Sequence, residues 1–227
     1  INTENPPNAG QLPPFNINMC LGQTVDLNTQ FISNPIPNTP TWTNITNGTP
    51  GTSISNNFSP VNSGTYTLRN TIAATANCPS DNEDITIVVN DIPSVTFSTI
   101  SQICLGESID LNFTLSGTAP FNITLTDNIN PAFNVIVDAN GNDNITGLPV
   151  SVTPSNTGIL TYTITNISDN FCSSTVSGQN SLVNVLTPPN SGGLLSPLTL
   201  CSDDLSIYDL SNQLVGQDLN GYWLDPS

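Results

Sequence analysis

The chain has 227 residues, of which 17 are acidic and one, Arg69, is basic; there is no lysine or histidine, and the formal net charge is −16. That balance excludes nucleic-acid binding, which needs clustered Lys and Arg to neutralise phosphates, and it disfavours docking on anionic lipid. No apolar run approaches the ~20 residues of a membrane-spanning helix, so direct membrane insertion is not expected.

Only 8% of the residues are charged and 36% are hydrophobic. The surface is therefore mainly neutral and polar, and the apolar content suits small β cores. Asn and Thr together exceed a quarter of the chain; Thr favours strands and Asn favours turns. Without histidine there is no Ser-His-Asp triad, Cys-His pair or imidazole metal ligand, and without lysine there is no Schiff base or P-loop. Carboxylate pairs could in principle hydrolyse a glycoside, but no acidic pair here has a recognisable context. The chain is not expected to be an enzyme.

In chain order, Pro6-Pro7-Asn8-Ala9-Gly10 comes first, followed by Cys20-Leu21-Gly22-Gln23-Thr24-Val25-Asp26-Leu27. After the cysteine, apolar and polar residues alternate, as in a half-buried strand reached through a tight turn. Strand-like runs follow at Thr41–Ile45, Gly64–Asn70 and Ile85–Val89, and Pro93 then marks an exit. Proline cannot donate to a sheet ladder, so such a site reads as a linker. The second unit reopens on Cys104-Leu105-Gly106-Glu107-Ser108-Ile109-Asp110-Leu111. It continues through Phe121–Thr126, Phe133–Val137, Ile159–Ile167 and Ser181–Leu186 to Pro188-Pro189. No segment shows helical periodicity.

A longer period overlies this one. Pro188-Pro189-Asn190-Ser191-Gly192 repeats the opening motif at an offset of 182, while Cys201 and Trp223 repeat Cys20 and Trp42 at 181. A period that long is domain-scale, and the chain reads as a slice of an array in which two related units alternate. The expected division is 1–7 as linker or the end of a preceding repeat, then 8–92, 93–187, and 188–227 as the first part of a third unit. Each complete unit holds about seven short strands, which predicts an all-β chain of tandem immunoglobulin-like sandwiches.

Five cysteines allow fifteen ways of making two bonds. The repeat favours one bond within each unit, Cys20–Cys78 and Cys104–Cys172, leaving Cys201 unpaired. Disulfides imply an extracytoplasmic home. Trp42 and Trp223 are expected as core aromatics, with Phe121 near the equivalent place in the second unit. Tyr66 and Tyr162 each follow a Ser/Thr-Gly turn and are expected near the corner that leads into the penultimate strand.

Asp138-Ala139-Asn140-Gly141-Asn142-Asp143-Asn144 offers oxygens at alternate positions, Asp138, Asn140 and Asn142, as a calcium loop would. Its glycine is misplaced for an EF-hand and no glutamate closes it, so a hairpin turn is the favoured reading. Asp81-Asn82-Glu83-Asp84 and Asp203-Asp204 are weaker candidates. No other cofactor is implied.

The order Cys-x-Gly-x-x-Val/Ile-Asp-Leu, then Ser/Thr-Gly with a following Tyr, then a cysteine in the last hairpin resembles the tandem immunoglobulin-like repeats of giant Bacteroidota surface adhesins. The stretch from Cys201-Ser202-Asp203-Asp204 to Gly221-Tyr222-Trp223-Leu224-Asp225-Pro226 is similar to repeats of the SprB gliding-motility type. The resemblance implies export by the type IX system, attachment at the outer membrane and a stalk role in adhesion or gliding. Its partners would be neighbouring repeats, secretion and attachment components, and a polysaccharide or surface ligand. A carbohydrate- or calcium-binding module, or accessory repeats on an exported enzyme, are the alternatives.

Overall fold

In the computed structural model the described residues are 3–48, 50–99, 101–196, 199 and 209–222. Cys201, Trp223, Asp203 and Asp204 lie outside them.

The first set of strands is β1 (Ile17–Cys20), β2 (Val25–Asp26), β3 (Thr41–Asn44), β4 (Thr52–Ile54), β5 (Asn57–Phe58), β6 (Gly64–Ile72) and β7 (Asp81–Asn90). They form a five-stranded sheet in the order β1-β7-β6-β3-β4, faced by the β2-β5 pair. The second set is β8 (Ser94–Ser98), β9 (Gln102–Cys104), β10 (Ile109–Ser116), β11 (Phe121–Thr126), β12 (Phe133–Val137), β13 (Val150–Val152), β14 (Gly158–Ser168), β15 (Ser173–Thr175) and β16 (Asn180–Leu186). It forms a three-stranded sheet, β13-β10-β8, and a larger one ordered β12-β11-β14-β16-β9, with β15 also on β14. Finally β17 (Gly193–Leu194) pairs with β18 (Leu214–Val215).

This is an all-β chain of immunoglobulin-like sandwiches. Neighbours in the ladders are antiparallel except twice: β1 runs parallel to β7, and β9 runs parallel to β16. In the first set the opening strand β1 thus lies beside the last strand, β7; in the second the opening strand β8 pairs with β10, and it is the second strand, β9, that lies beside the last, β16. Alternation of buried and exposed residues along β10, β11 and β16 follows the two-residue period of a pleated strand.

Two separate apolar cores result. Leu27, Trp42, Leu68, Ile85 and Ile87 centre the first. Leu111, Phe121, Ile123, Leu125, Val137, Ile164 and Ile167 form most of the second, extended by Ile109, Leu160, Tyr162, Val183 and Val185. Trp42 is 4% exposed, its indole N–H donates to Asn28 Oδ1 at 3.0 Å, and its ring lies 5.7 Å from that of Phe31. The indole therefore enters the core with its one polar atom satisfied.

The long repeat has a structural counterpart. Asn8 exchanges both backbone hydrogen bonds with Ile36, and its Oδ1 accepts from Gly10 N. Asn190 N donates to Asp218 Oδ2, Asp218 N donates to Asn190 O, and Asn190 Oδ1 accepts from Gly192 N. Gly10 and Gly192 both have positive φ, 83° and 80°. A 3-10 turn at Leu27–Gln30 has its counterpart at Leu210–Gln213.

Among the described residues no buried residue belongs to both the first core and the second. Leu68→Ala, at a fully buried site, should cost about 3 kcal/mol in the first sandwich alone. Calorimetry of the reduced chain should show one of two unfolding transitions moving down while the other stays. An equal shift of both would contradict independent cores.

Candidate functional site

The cysteines mark the place where the two sandwiches meet. Cys20 is the last residue of β1, and β1 runs parallel to β7 with Cys20 opposite Asn90. Leu21 N extends the pairing by donating to Asn90 O at 2.9 Å. Cys20 therefore sits at the end of the sandwich where β7 leaves for the next unit, with only residues 91–93 between β7 and β8. Cys172 lies in the turn between β14 and β15, at the end of the second sandwich that faces this exit. Cys20 and Cys172 form a disulfide with a Cα–Cα distance of 5.8 Å, and Cys20 Sγ lies 3.7 Å from the Phe171 carbonyl.

This corrects the expected pairing, because Cys78 and Cys104 are free thiols. The reason is strand direction. Cys78 lies in the loop between β6 and β7, before β7 begins, whereas Cys20 lies beside the residue that ends it. The ten residues of β7 put the two about 33 Å apart at ~3.3 Å per residue, far beyond the ~7 Å that a disulfide tolerates between Cα atoms. Cys104, opposite Leu186 at the end of β16, is separated from Cys172 in the same way. The two cysteines of each sandwich therefore stand at opposite poles, so the pairing within each unit that the repeat favours does not form.

The Cys172 turn is built on Asp169. Its Oδ1 accepts from Phe171 N at 2.8 Å and Cys172 N at 2.7 Å, and its Oδ2 accepts from Thr118 N at 2.9 Å. Asp169 N donates to Cys172 O, and Asn170 N donates to Thr118 O. Partial burial would raise the Asp169 pKa, but the amides of Cys172, Thr118 and Phe171 outweigh it, and the pKa is lowered. Gly117 closes the arrangement. It has φ 132°, and a Cβ there would meet Asp169 Oδ2 at 2.8 Å and Pro93 Cβ at 3.2 Å. Only glycine lets the linker and the carboxylate approach this closely. Between the sandwiches a shallow cleft is lined by Cys20, Gln23, Ile92, Asp169, Phe171 and Cys172.

The remaining candidates fall elsewhere. Tyr66 O–H donates to Asn62 O at 2.9 Å, a corner bond, and its ring packs edge-on against Phe58 at 5.2 Å. Tyr162 does not occupy the matching place. Gly64 pairs with Val89 and Gly158 with Val185, so Leu160 takes the rung of Tyr66, and Tyr162 lies one inward position further along. Tyr162 is buried, and burial, then the Asp127 charge, raises its pKa.

At the calcium candidate, Asp138 Oδ1 accepts from Asn140 N at 2.8 Å and Asn142 N at 3.0 Å, and Gly141 N donates to Asp138 O. The carboxylate holds a turn together. Asp143 likewise accepts from Ile145 N and Thr146 N, and these bonds lower its pKa. Among the described residues no group of three or more Asp, Glu, Cys or His side chains could hold a metal, and no helix is long and apolar enough to cross a membrane.

No protein-family profile matches the chain, and no curated protein matches it. Among solved structures it is similar to immunoglobulin domains 1–5 of Sidekick-1 (15% identity, TM-score 0.28), covering 81% of this chain and 40% of that one. It is also similar to the fibronectin(III)-like modules of Clostridium thermocellum CbhA (10%, 0.33, covering 76% and 90%). A third is Drosophila N-cadherin EC1-3 (13%, 0.31, covering 81% and 68%). The chain thus spans less than half of the Sidekick-1 chain. The fold assignment rests on its own strand topology.

Arg69 is the only Lys or Arg in the chain, so trypsin cuts once. After unfolding and alkylation without reductant, fragments 1–69 and 70–227 should stay joined in wild type and in Cys78→Ser. They should separate in Cys172→Ser. Joined fragments in Cys172→Ser, or separated ones in Cys78→Ser, would restore the Cys20–Cys78 pairing.

Asp169 gives a pH signature. Its folded pKa lies below the unfolded value of about 3.9, so its stabilisation is full above that value and is lost as the pH falls through the folded pKa. Asp169→Asn should lower the melting temperature at pH 7 and converge with wild type near pH 2. Parallel melting curves between pH 2 and 7 would remove the carboxylate from the account.

Proposed function

We propose that the chain is a structural stalk segment of a large exported surface adhesin or filament. The observation that carries this reading is the disulfide between consecutive sandwiches, placed across a three-residue linker. A bond inside a domain serves that domain's stability; a bond between domains fixes their relation to each other. It closes a loop of 152 residues and contributes about 5 kcal/mol in the chain-entropy model. Tension applied at the ends passes from β1 through the sulfur atoms to β15, bypassing most of both cores. An oxidising, extracytoplasmic setting follows.

The units of this stalk are residues 8–92 and 93–187, with a third opening at 188 and residues 1–7 belonging to a linker or preceding repeat. The separate cores and the recurrence of the Asn8 turn at Asn190 support that division. The SprB-type resemblance supports the finer reading: a filament exported by the type IX system, attached at the outer membrane, and used in adhesion or gliding. The acidic, polar surface with a single cation favours a solvated, self-repelling spacer over a docking face. The carboxylates of Asp138 and Asp143 are engaged by their own turn amides, which favours a spacer over a calcium-dependent lectin.

Single-molecule pulling from the two termini tests the reading. With the bond intact, residues 20–172 stay out of the extension. Reductant should lengthen the fully unfolded chain by roughly 500 Å, from 152 residues at ~3.3–3.6 Å each. An unchanged contour length would remove the staple and, with it, the principal support for the stalk.

A further inference from the structure

The two free thiols among the described residues, Cys78 and Cys104, copy the two bonded sulfurs. Cys20 ends β1 opposite Asn90, and Cys104 ends β9 opposite Leu186. Leu21 N donates to Asn90 O at 2.9 Å, and Leu105 N donates to Leu186 O at 2.8 Å. Cys20 N donates to Gln23 Oε1 at 2.8 Å and Gln23 N returns to Cys20 O at 3.0 Å. Cys104 N donates to Glu107 Oε2 at 2.9 Å and Glu107 N returns to Cys104 O at 3.1 Å.

The hairpin cysteines match as closely. Asp169 N donates to Cys172 O at 2.8 Å and Cys172 N to Asp169 Oδ1 at 2.7 Å. Thr75 N donates to Cys78 O at 2.9 Å and Cys78 N to Thr75 Oγ1 at 3.2 Å. Each free thiol is therefore held in the backbone setting that forms the Cys20–Cys172 bond. They cannot meet within one chain, because Cys78 lies at the far end of the first sandwich and Cys104 at the far end of the second.

We propose that Cys20–Cys172 is one instance of a joint repeated at every junction of the array. The strand-end cysteine of each unit bonds the last-hairpin cysteine of the unit that follows. The Cys104 end of the second sandwich receives the hairpin of the unit opening at Pro188, and Cys78 bonds the strand-end cysteine of a like unit joined ahead of residue 8. Each joint forms by oxidation of two thiols. Both S–H bonds break, one S–S bond forms, and two electrons and two protons pass to a low-molecular-weight disulfide such as oxidised glutathione, which leaves as two thiols. The inference rests on the observed joint and the repeat, and it holds whether the array is a spacer or carries a ligand.

The test uses the complete chain extended after Ser227 by a copy of its own residues 47–92, which continues the third unit in register at the offset of 181. The extended chain is folded in oxidised and reduced glutathione, alkylated and cut by trypsin without reductant. The short final fragment, holding the copied Cys78, should remain disulfide-linked. It should be released in Cys104→Ser and retained in Cys201→Ser. Release in Cys201→Ser instead, or an alkylated copy of Cys78 in the folded extended chain, overturns the proposal. If the added unit does not fold, the unextended chain decides. In its oxidised, folded form a maleimide should label Cys78 and Cys104 and spare Cys20 and Cys172; a bond from Cys78 to Cys20 or from Cys104 to Cys172 overturns the joint. Pulling experiments answer the stalk question separately, since a lectin array could carry the same joints.

Discussion

The parallel pairing of β1 on β7, repeated as β9 on β16, determines most of what is distinctive here. A strand that enters a sandwich beside the strand that leaves it must end at the exit pole. Whatever side chain terminates that strand is then delivered to the junction with the next domain. In this chain the side chain is a cysteine both times. If β1 paired antiparallel on the same edge, Cys20 would face the other pole and the inter-domain bond could not form.

Several weaker features then converge on the same joint. The three-residue linker leaves little freedom between β7 and β8. Pro93 and Gly117 bring the linker against the turn that carries Cys172, and Asp169 holds that turn through three backbone amides. None of these contacts is large alone, since exposed hydrogen bonds contribute about 1 kcal/mol or less net. Their importance is positional: they hold the turn that carries Cys172 against the linker, beside Cys20. The covalent bond and these weak contacts act on the same arrangement, which is built from short loops and polar side chains.

Much of the fold was legible because it is written locally. Alternation located β11 and β12 to the residue and β6, β14 and β16 to within two. Asn8 and Asn190 form the same turn because the Pro-Pro-Asn-x-Gly spacing supplies a side-chain acceptor two residues before a glycine that takes positive φ. The cysteine pairing was not legible. It depends on which pole each strand end reaches, a property of long-range register and not of any local motif. The repeat itself misled, since cysteines of one unit look like natural partners when strand direction is ignored. Tyr162 was misaligned for a smaller reason: two further residues lie between Gly158 and its tyrosine than between Gly64 and Tyr66. In a strand, two residues preserve the facing side but shift the rung.

A joint of this kind would change what the disulfides do for the proposed array. Bonds inside each domain would raise the force needed to unfold it and leave the hinges free. Bonds between domains leave each core as stable as its own packing makes it, and remove the hinge instead. The cores here are small: Leu68, Ile85 and Ile87 at the centre of one, Ile123, Leu125 and Ile164 at the centre of the other. Such domains would open under modest tension if they had to transmit it. With the joint closed, tension enters at one strand end and leaves at a hairpin of the next unit, so most of the two cores between the sulfur atoms is spared. In the proposed array small domains would thus be held in fixed relation to each other, provided that the compartment keeps the sulfur atoms oxidised.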